Sequence, residues 1–167
     1  LIAVVAALFE KQVLTYEWIV AGIALGAVIG WLLAVRIAMT AMPQLVAIFN
    51  GFGGLASVLV AGAALIEAVG RPELPVTTVS TIATGASGLI GAVTFTGSMI
   101  AFAKLQELMS GNPIQFPGQK LLNALLALLT VGRTVMLVMD PYSLVVYGFI
   151  VLVSAILGVL LTIPVGG

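Results

Sequence analysis

Residues 121–163 read LLNALLALLTVGRTVMLVMDPYSLVVYGFIVLVSAILGVLLTI. Asp140-Pro141 divides the stretch into two apolar runs, 121–139 and 142–163, of 19 and 22 residues, and Arg133 is the one charge inside either. Nineteen helical residues cover about 28 Å, close to the roughly 30 Å of a bilayer's hydrocarbon core. Backbone polar groups in lipid must bond within their own segment or within a closed barrel, and the short connection here cannot close a barrel from such runs. The stretch therefore reads as two transmembrane helices.

The rest of the chain repeats the pattern. Further runs lie at 16–38, 43–68 and 76–102, separated by charges, prolines and glycines. Pro43 suits the first turn of a helix, where its missing N–H has no partner to lose. Glu67, Gly70, Arg71, Pro72, Glu73 and Pro75 form one loop; 104–120, with Gly111-Asn112-Pro113 and Pro117-Gly118, forms the longest. Residues 1–9 are apolar but cover only about 14 Å, half a bilayer core. They lack the basic leader and small-residue cleavage site of a signal peptide. They are expected to be the tail of a helix that starts earlier, and Pro164-Val165-Gly166-Gly167 the opening of a loop, so the chain reads as part of something longer. The expected fold is all-α: one transmembrane domain over 1–167, a polytopic bundle of about five complete spans plus one truncated N-terminal span.

Composition agrees. Of 167 residues 62% are apolar and 7% charged, with a mean hydropathy of +1.29, against roughly 25% charged in a soluble domain. Six basic and six acidic side chains cancel, and without a basic excess nucleic-acid binding is not expected. Cysteine and histidine are absent. That removes disulfides, thiolate chemistry, histidine-ligated haem and ordinary zinc sites from this chain. Any proton relay within it must use carboxylates, amides, hydroxyls or water. By the positive-inside rule, Arg36, Lys104 and Lys120 fall on one side against Lys11 and Arg71 on the other. That places the Arg36 loop, the 104–120 loop and the C-terminus in the cytoplasm.

Three polar seams interrupt the apolar runs. Gly22, Gly26 and Gly30 lie four apart on one face, the spacing of close helix packing. Thr77, Ser80, Thr84, Ser87, Gly91, Thr94 and Ser98 recur in steps of 3, 4, 3, 4, 3 and 4, which aligns them on one helical face. The stripe runs about 32 Å. It serves either as interhelical glue, each hydroxyl bonding a backbone carbonyl, or as the lining of a water path. Asn50, Gly53, Gly54 and Ser57 form a related seam on the 43–68 run. Asn50 lies about 10 Å beyond Pro43, inside the hydrocarbon, where an amide without partners costs several kcal/mol. It fixes helix register or serves function. It is the only amide deep in a run, apart from Asn123 near the start of the 121–139 run. Arg133 has Asp140 seven residues later on the same face, which predicts an ion pair or a side chain reaching to the interface. Glu10, Glu17, Glu67, Glu73 and Glu107 lie near segment ends and read as interfacial. Trp18 and Trp31 stand near the two ends of the 16–38 run as an aromatic belt places them.

Two stretches are similar to a known family. Met39-Thr40-Ala41-Met42-Pro43-Gln44-Leu45-Val46-Ala47-Ile48-Phe49-Asn50-Gly51-Phe52-Gly53-Gly54-Leu55-Ala56 resembles the start of a membrane helix in the beta subunit of proton-translocating NAD(P) transhydrogenase. Gly91-Ala92-Val93-Thr94-Phe95-Thr96-Gly97-Ser98-Met99-Ile100-Ala101-Phe102-Ala103-Lys104-Leu105 resembles a second signature of that family. The likeness is strongest over 36–105 and looser to the end. It implies a bacterial inner (plasma) membrane enzyme that transfers hydride between NAD(H) and NADP(H) and couples this to proton movement. NAD and NADP would bind in separate soluble domains, so no cofactor, metal or catalytic residue is expected in this chain, and no Gly-x-Gly-x-x-Gly element occurs in it. The implied partners are the lipid bilayer, the alpha subunit's membrane helices and the soluble NAD- and NADP-binding domains, in a complex similar to a homodimer of protomers. Some family members have a histidine, assigned to proton relay, where this chain has Asn50, and Asn does not titrate near neutral pH. Ser98 matches a family serine on the proton path. The expected proton path is Asn50, Ser98, Thr94, Ser87, Thr84 and Ser57. Two other readings are a small-solute permease, for which an inverted repeat would speak, and a structural membrane subunit with all seams as packing.

Overall fold

A computed structural model describes residues 16–73 and 75–166. The expected partial helix at 1–9 lies outside them. Among the described residues every element is helical, and five helices are long and apolar enough to cross a membrane. The chain divides into two compact units, 1–41 and 42–167.

The first unit holds helix α1, Tyr16–Arg36, followed by a 3-10 turn, Met39–Ala41. Glu17 in the first turn and Arg36 in the last each sit where the helix dipole favours their charge. The turn closes with the Ala41 N–H donating to the Ala38 carbonyl at 2.9 Å. Trp18 and Trp31 are both exposed, near opposite ends of the helix. A Cβ built on Gly22, Gly26 or Gly30 meets nothing within 4 Å, so within the first unit the glycine face of α1 packs on no other described residue.

The second unit holds α2 (Met42–Gly70), α3 (Thr78–Leu105), α4 (Gln119–Met139) and α5 (Leu144–Thr162). Local chemistry sets their ends. Thr77 caps α3 by accepting the Ser80 N–H at 3.1 Å, so that helix starts after the capping residue rather than at 76. Ser143 caps α5 through the Val146 N–H at 3.4 Å. Gly118 enters α4 with φ +83°, a conformation that costs any residue with a Cβ. α3 runs through Lys104 to Leu105, beyond the expected stop at 102.

α3 is the central helix, packed against α2, α5 and α4, and α5 also packs on α4. Its contacts are made where one partner is glycine. A Cβ on Gly54 would lie 2.6 Å from the Gly91 carbonyl oxygen, and one on Gly91 would lie 2.6 Å from that of Gly54. α2 and α3 thus touch backbone to backbone, the close approach that small residues permit in lipid. Gly158 of α5 lies as tightly on Val93, and Gly85 of α3 on Thr134 of α4. Ala61, Leu65, Leu137, Tyr147 and Ile150 form the apolar core. The Tyr147 ring stands between Gly62 and Gly88, and its hydroxyl donates to the Val58 carbonyl at 2.6 Å. Many large apolar side chains on the outer faces, Val60, Val79 and Val145 among them, are exposed, as a lipid-facing surface requires.

Candidate functional site

Asn50 and Ser98 meet across the α2–α3 crossing. The Asn50 amide donates through Nδ2 to the Ser98 hydroxyl oxygen at 2.8 Å. Ser98 is buried, while Asn50 stands at the exposed edge of the contact. Each brings the other a partner at a depth where neither can rely on water. The glycines set the distance. Gly51 leaves room for Ser98 and Met99, a Cβ there falling 3.2 Å from the Ser98 Cβ and 2.5 Å from the Met99 methyl. One turn further in, Gly54 lies against Thr94, and Gly91 against Ser57. Asn50, Ser57, Thr94 and Ser98 therefore line one crossing, and the two similarity-bearing stretches face each other.

Thr84 and Ser87 continue the same face of α3 toward its start, both half-buried. Gly53 departs from the expected seam. A Cβ there meets nothing within 4 Å, and Gly51 takes the contact position instead. The reason is angular: the interface centres on Gly54, so Asn50 and Ser57 flank it closely while Gly53 is turned away.

The hydroxyls divide into two sets. Ser80, Thr81, Thr96, Thr130, Thr134 and Thr162 donate to carbonyls three or four residues earlier in the chain. Thr96 also reaches the Ala155 carbonyl of α5 at 2.8 Å. These are glue in the ordinary sense. Ser57, Thr84, Ser87 and Thr94 make no hydrogen bond within the described residues, and none of their oxygens is sealed from access. Their donors and acceptors are open to water or to a neighbour.

Ser98 lies seven residues before the end of α3, and the polar groups at that end tie the helices together. Lys104, buried, donates through Nζ to the carbonyls of Ile163 at 2.8 Å, Asn112 at 3.3 Å and Val165. The ammonium thus closes the C-terminal end of α5, whose carbonyls lack helical partners and carry the negative pole of the dipole. Gln119 and Asn123 add bonds to the Leu160 carbonyl at 2.9 and 3.5 Å, and the Ile114 N–H bonds Ile163 at 3.0 Å. Gln44 bonds the Leu105 carbonyl at 3.2 Å. Sequence reading placed Lys104 with the loop charges, because a lysine after an apolar run normally stays in water; no sequence signal marks the three carbonyls it meets.

Arg133 also differs from expectation. It does not pair with Asp140. Its guanidinium lies over the Phe149 ring, 4.5 Å from the centroid. The ion pair in the described residues is Arg71–Glu67, an exposed contact at 3.2 Å one helical turn apart.

Comparison with known proteins joins these stretches to one family. The family model described as NAD(P) transhydrogenase beta subunit matches residues 1–167. The chain is 45% identical over 121 residues to the NAD(P) transhydrogenase subunit beta of Rhodospirillum rubrum, covering 71% of this chain and 26% of that protein. The same subunit from a named strain of that organism matches to the same extent. The chain thus spans about a quarter of the length of the curated relatives it matches, 26% in each case.

Proposed function

This chain belongs to the NAD(P) transhydrogenase beta subunit family, and from that premise we propose that it is the proton-translocating membrane module of such an enzyme. Hydride passes between NAD(H) and NADP(H) in separate soluble domains, and this single transmembrane domain couples the transfer to proton movement. The path follows the α2–α3 crossing: Asn50, Ser98, Thr94 and Ser57, continued by Ser87 and Thr84.

The observation that carries the reading is the 2.8 Å bond between Asn50 and Ser98. Four further hydroxyls on the same seam leave their bonding capacity unspent. An amide and hydroxyls cannot hold a proton as an imidazolium does near neutral pH. They can orient a file of water, with Asn50 presenting its unbonded carbonyl oxygen and Ser98 its unbonded O–H. The titrating group then comes from a partner helix, in keeping with an alpha subunit packed beside this module and a homodimer of protomers. The membrane is the bacterial inner membrane, with the Lys104 end of α3 and the C-terminal end of α5 toward the cytoplasm.

The test compares coupled with uncoupled chemistry. In the complete enzyme, Asn50→Leu and, separately, Ser98→Ala are expected to lower proton pumping about tenfold or more. Hydride transfer between the detached soluble domains stays at the level of the unaltered enzyme. Pumping unchanged in both variants would refute the path.

A further inference from the structure

We infer that Lys104 and Gln44 form a gate at one end of the proposed path, shut in this structure; the inference rests on the α2–α3 crossing being that path. A pump open to both aqueous phases at once dissipates the gradient it makes, so each end of its path must close in some state. On this side the last pair of the path is Asn50 and Ser98. Beyond it α2 offers residues 42–49, MPQLVAIF, and α3 residues 99–105, MIAFAKL. Each stretch has one polar side chain, Gln44 and Lys104. Gln44 lies six positions before Asn50 and Lys104 six after Ser98, about 9 Å along each antiparallel helix. A water file on this crossing therefore leaves the membrane past their level.

Both side chains are engaged. Gln44 donates through Nε2 to the Leu105 carbonyl at 3.2 Å, which bolts the first turn of α2 to the end of α3. The buried Lys104 ammonium donates to the carbonyls of Ile163 at 2.8 Å, Asn112 at 3.3 Å and Val165, which bolts α3 to the chain leaving α5 and to the 104–120 loop. Closure leaves two demands unmet. Gln44 Oε1 is sealed from solvent with no hydrogen-bond partner, and no carboxylate pairs with Lys104 among the described residues. Water satisfies both. Room for the opening is already present. A cavity of about 130 Å³ lies beside Lys104, lined by Ala101, Leu105, Thr162 and Val165, enough for a few water molecules. Ala101 stands one turn beyond Ser98. An ammonium that swings into this space frees its three carbonyls and brings water within a turn of Ser98.

Passive proton entry tests the gate. The complete enzyme is reconstituted in sealed liposomes without nucleotides, a potassium diffusion potential drives protons inward, and an internal pH dye reads the rate per enzyme. Lys104→Met is expected to raise entry about tenfold, since hydrogen bonds from a charged donor hold a closed state by that factor or more. Lys104→Arg, which keeps a cation for the carbonyls, should stay near the unaltered rate. Gln44→Leu should raise entry severalfold, and it carries the test if Lys104→Met fails to accumulate. Adding Asn50→Leu to either leaking variant should abolish the leak, which separates a gate on this path from a loosened bundle. Entry unchanged in both Lys104→Met and Gln44→Leu overturns the inference. A leak that survives Asn50→Leu, where Asn50→Leu alone blocks pumping, refutes the gate and leaves the path standing. Normal pumping in Asn50→Leu alone refutes the path, and the gate falls with it.

Discussion

The bond between Asn50 and Ser98 depends on two glycines that take no part in it. Gly54 and Gly91 face each other with no side chain between, and any Cβ there meets backbone, which cannot swing aside as a side chain does. Gly54→Ala is expected to cost about 1–3 kcal/mol by overpacking and to lower proton pumping with it. Gly53→Ala, one residue away in open space, should stay within about 0.5 kcal/mol. Unfolding of both variants in mixed micelles checks the contrast. Lys104→Met removes the ammonium from the Ile163 and Val165 carbonyls beyond α5 and from the Asn112 carbonyl in the preceding loop, leaving Ile163 only the Ile114 N–H. A loss of about 1–3 kcal/mol follows, read as faster hydrogen exchange over residues 160–165. Asn50 and Ser98 were legible in the sequence because a polar side chain deep in an apolar run asks for a partner. Lys104 was not, because its role comes from carbonyls some sixty residues away in the chain.

At the scale of the element, periodicity decided most of what could be known. The 3/4 spacing put Thr84, Ser87, Gly91, Thr94 and Ser98 on one face of α3, and a contiguous face is what the structure has. Spacing could not tell a hydroxyl bonded to its own helix from one left open, since both occupy the same positions. Thr81 and Thr96 are of the first kind, Thr84 and Ser87 of the second. The difference gives a prediction. Thr96→Ala removes a bond to α5 and should cost about 1 kcal/mol. Thr84→Ala and Ser87→Ala remove no bond and should stay within about 0.5 kcal/mol, while pumping in the complete enzyme falls severalfold. Pumping at the unaltered level in both would mean that this half of the seam carries no water. Arg133 shows the opposite limit: seven residues to Asp140 matched a shared face, but a ring from α5 took the place of the carboxylate.

For the whole molecule, runs of 19 or more apolar residues with few charges left the chain no fold but helices in lipid. Which helix is central was not legible, because small or polar seams mark one face of three runs, 16–38, 43–68 and 76–102, and spacing alone does not say which of them is packed. That choice was made by small residues in register: Gly54 with Gly91, Gly158 with Val93, Gly85 with Thr134. The alternation of α2 to α5 has a direct check, since the chain contains no cysteine. Single cysteines at Ser110 and Ser143, one beyond the end of α3 and one before α5, should react with a membrane-impermeant maleimide from opposite faces, Ser110 from the cytoplasm. Labelling of both from one face would refute the alternation.

The backbone contact between Gly54 and Gly91 is also a fulcrum. Asn50 lies one turn from it, a lever arm of about 6 Å. A tilt of about 10° between α2 and α3 around that point moves the Asn50 amide about 1 Å from Ser98, past the range in which a hydrogen bond holds. On the far side, Tyr147 pins the same pair of helices between Gly62 and Gly88. Rocking at the crossing would therefore break the Asn50–Ser98 bond at one end before it disturbed the Tyr147 contact at the other.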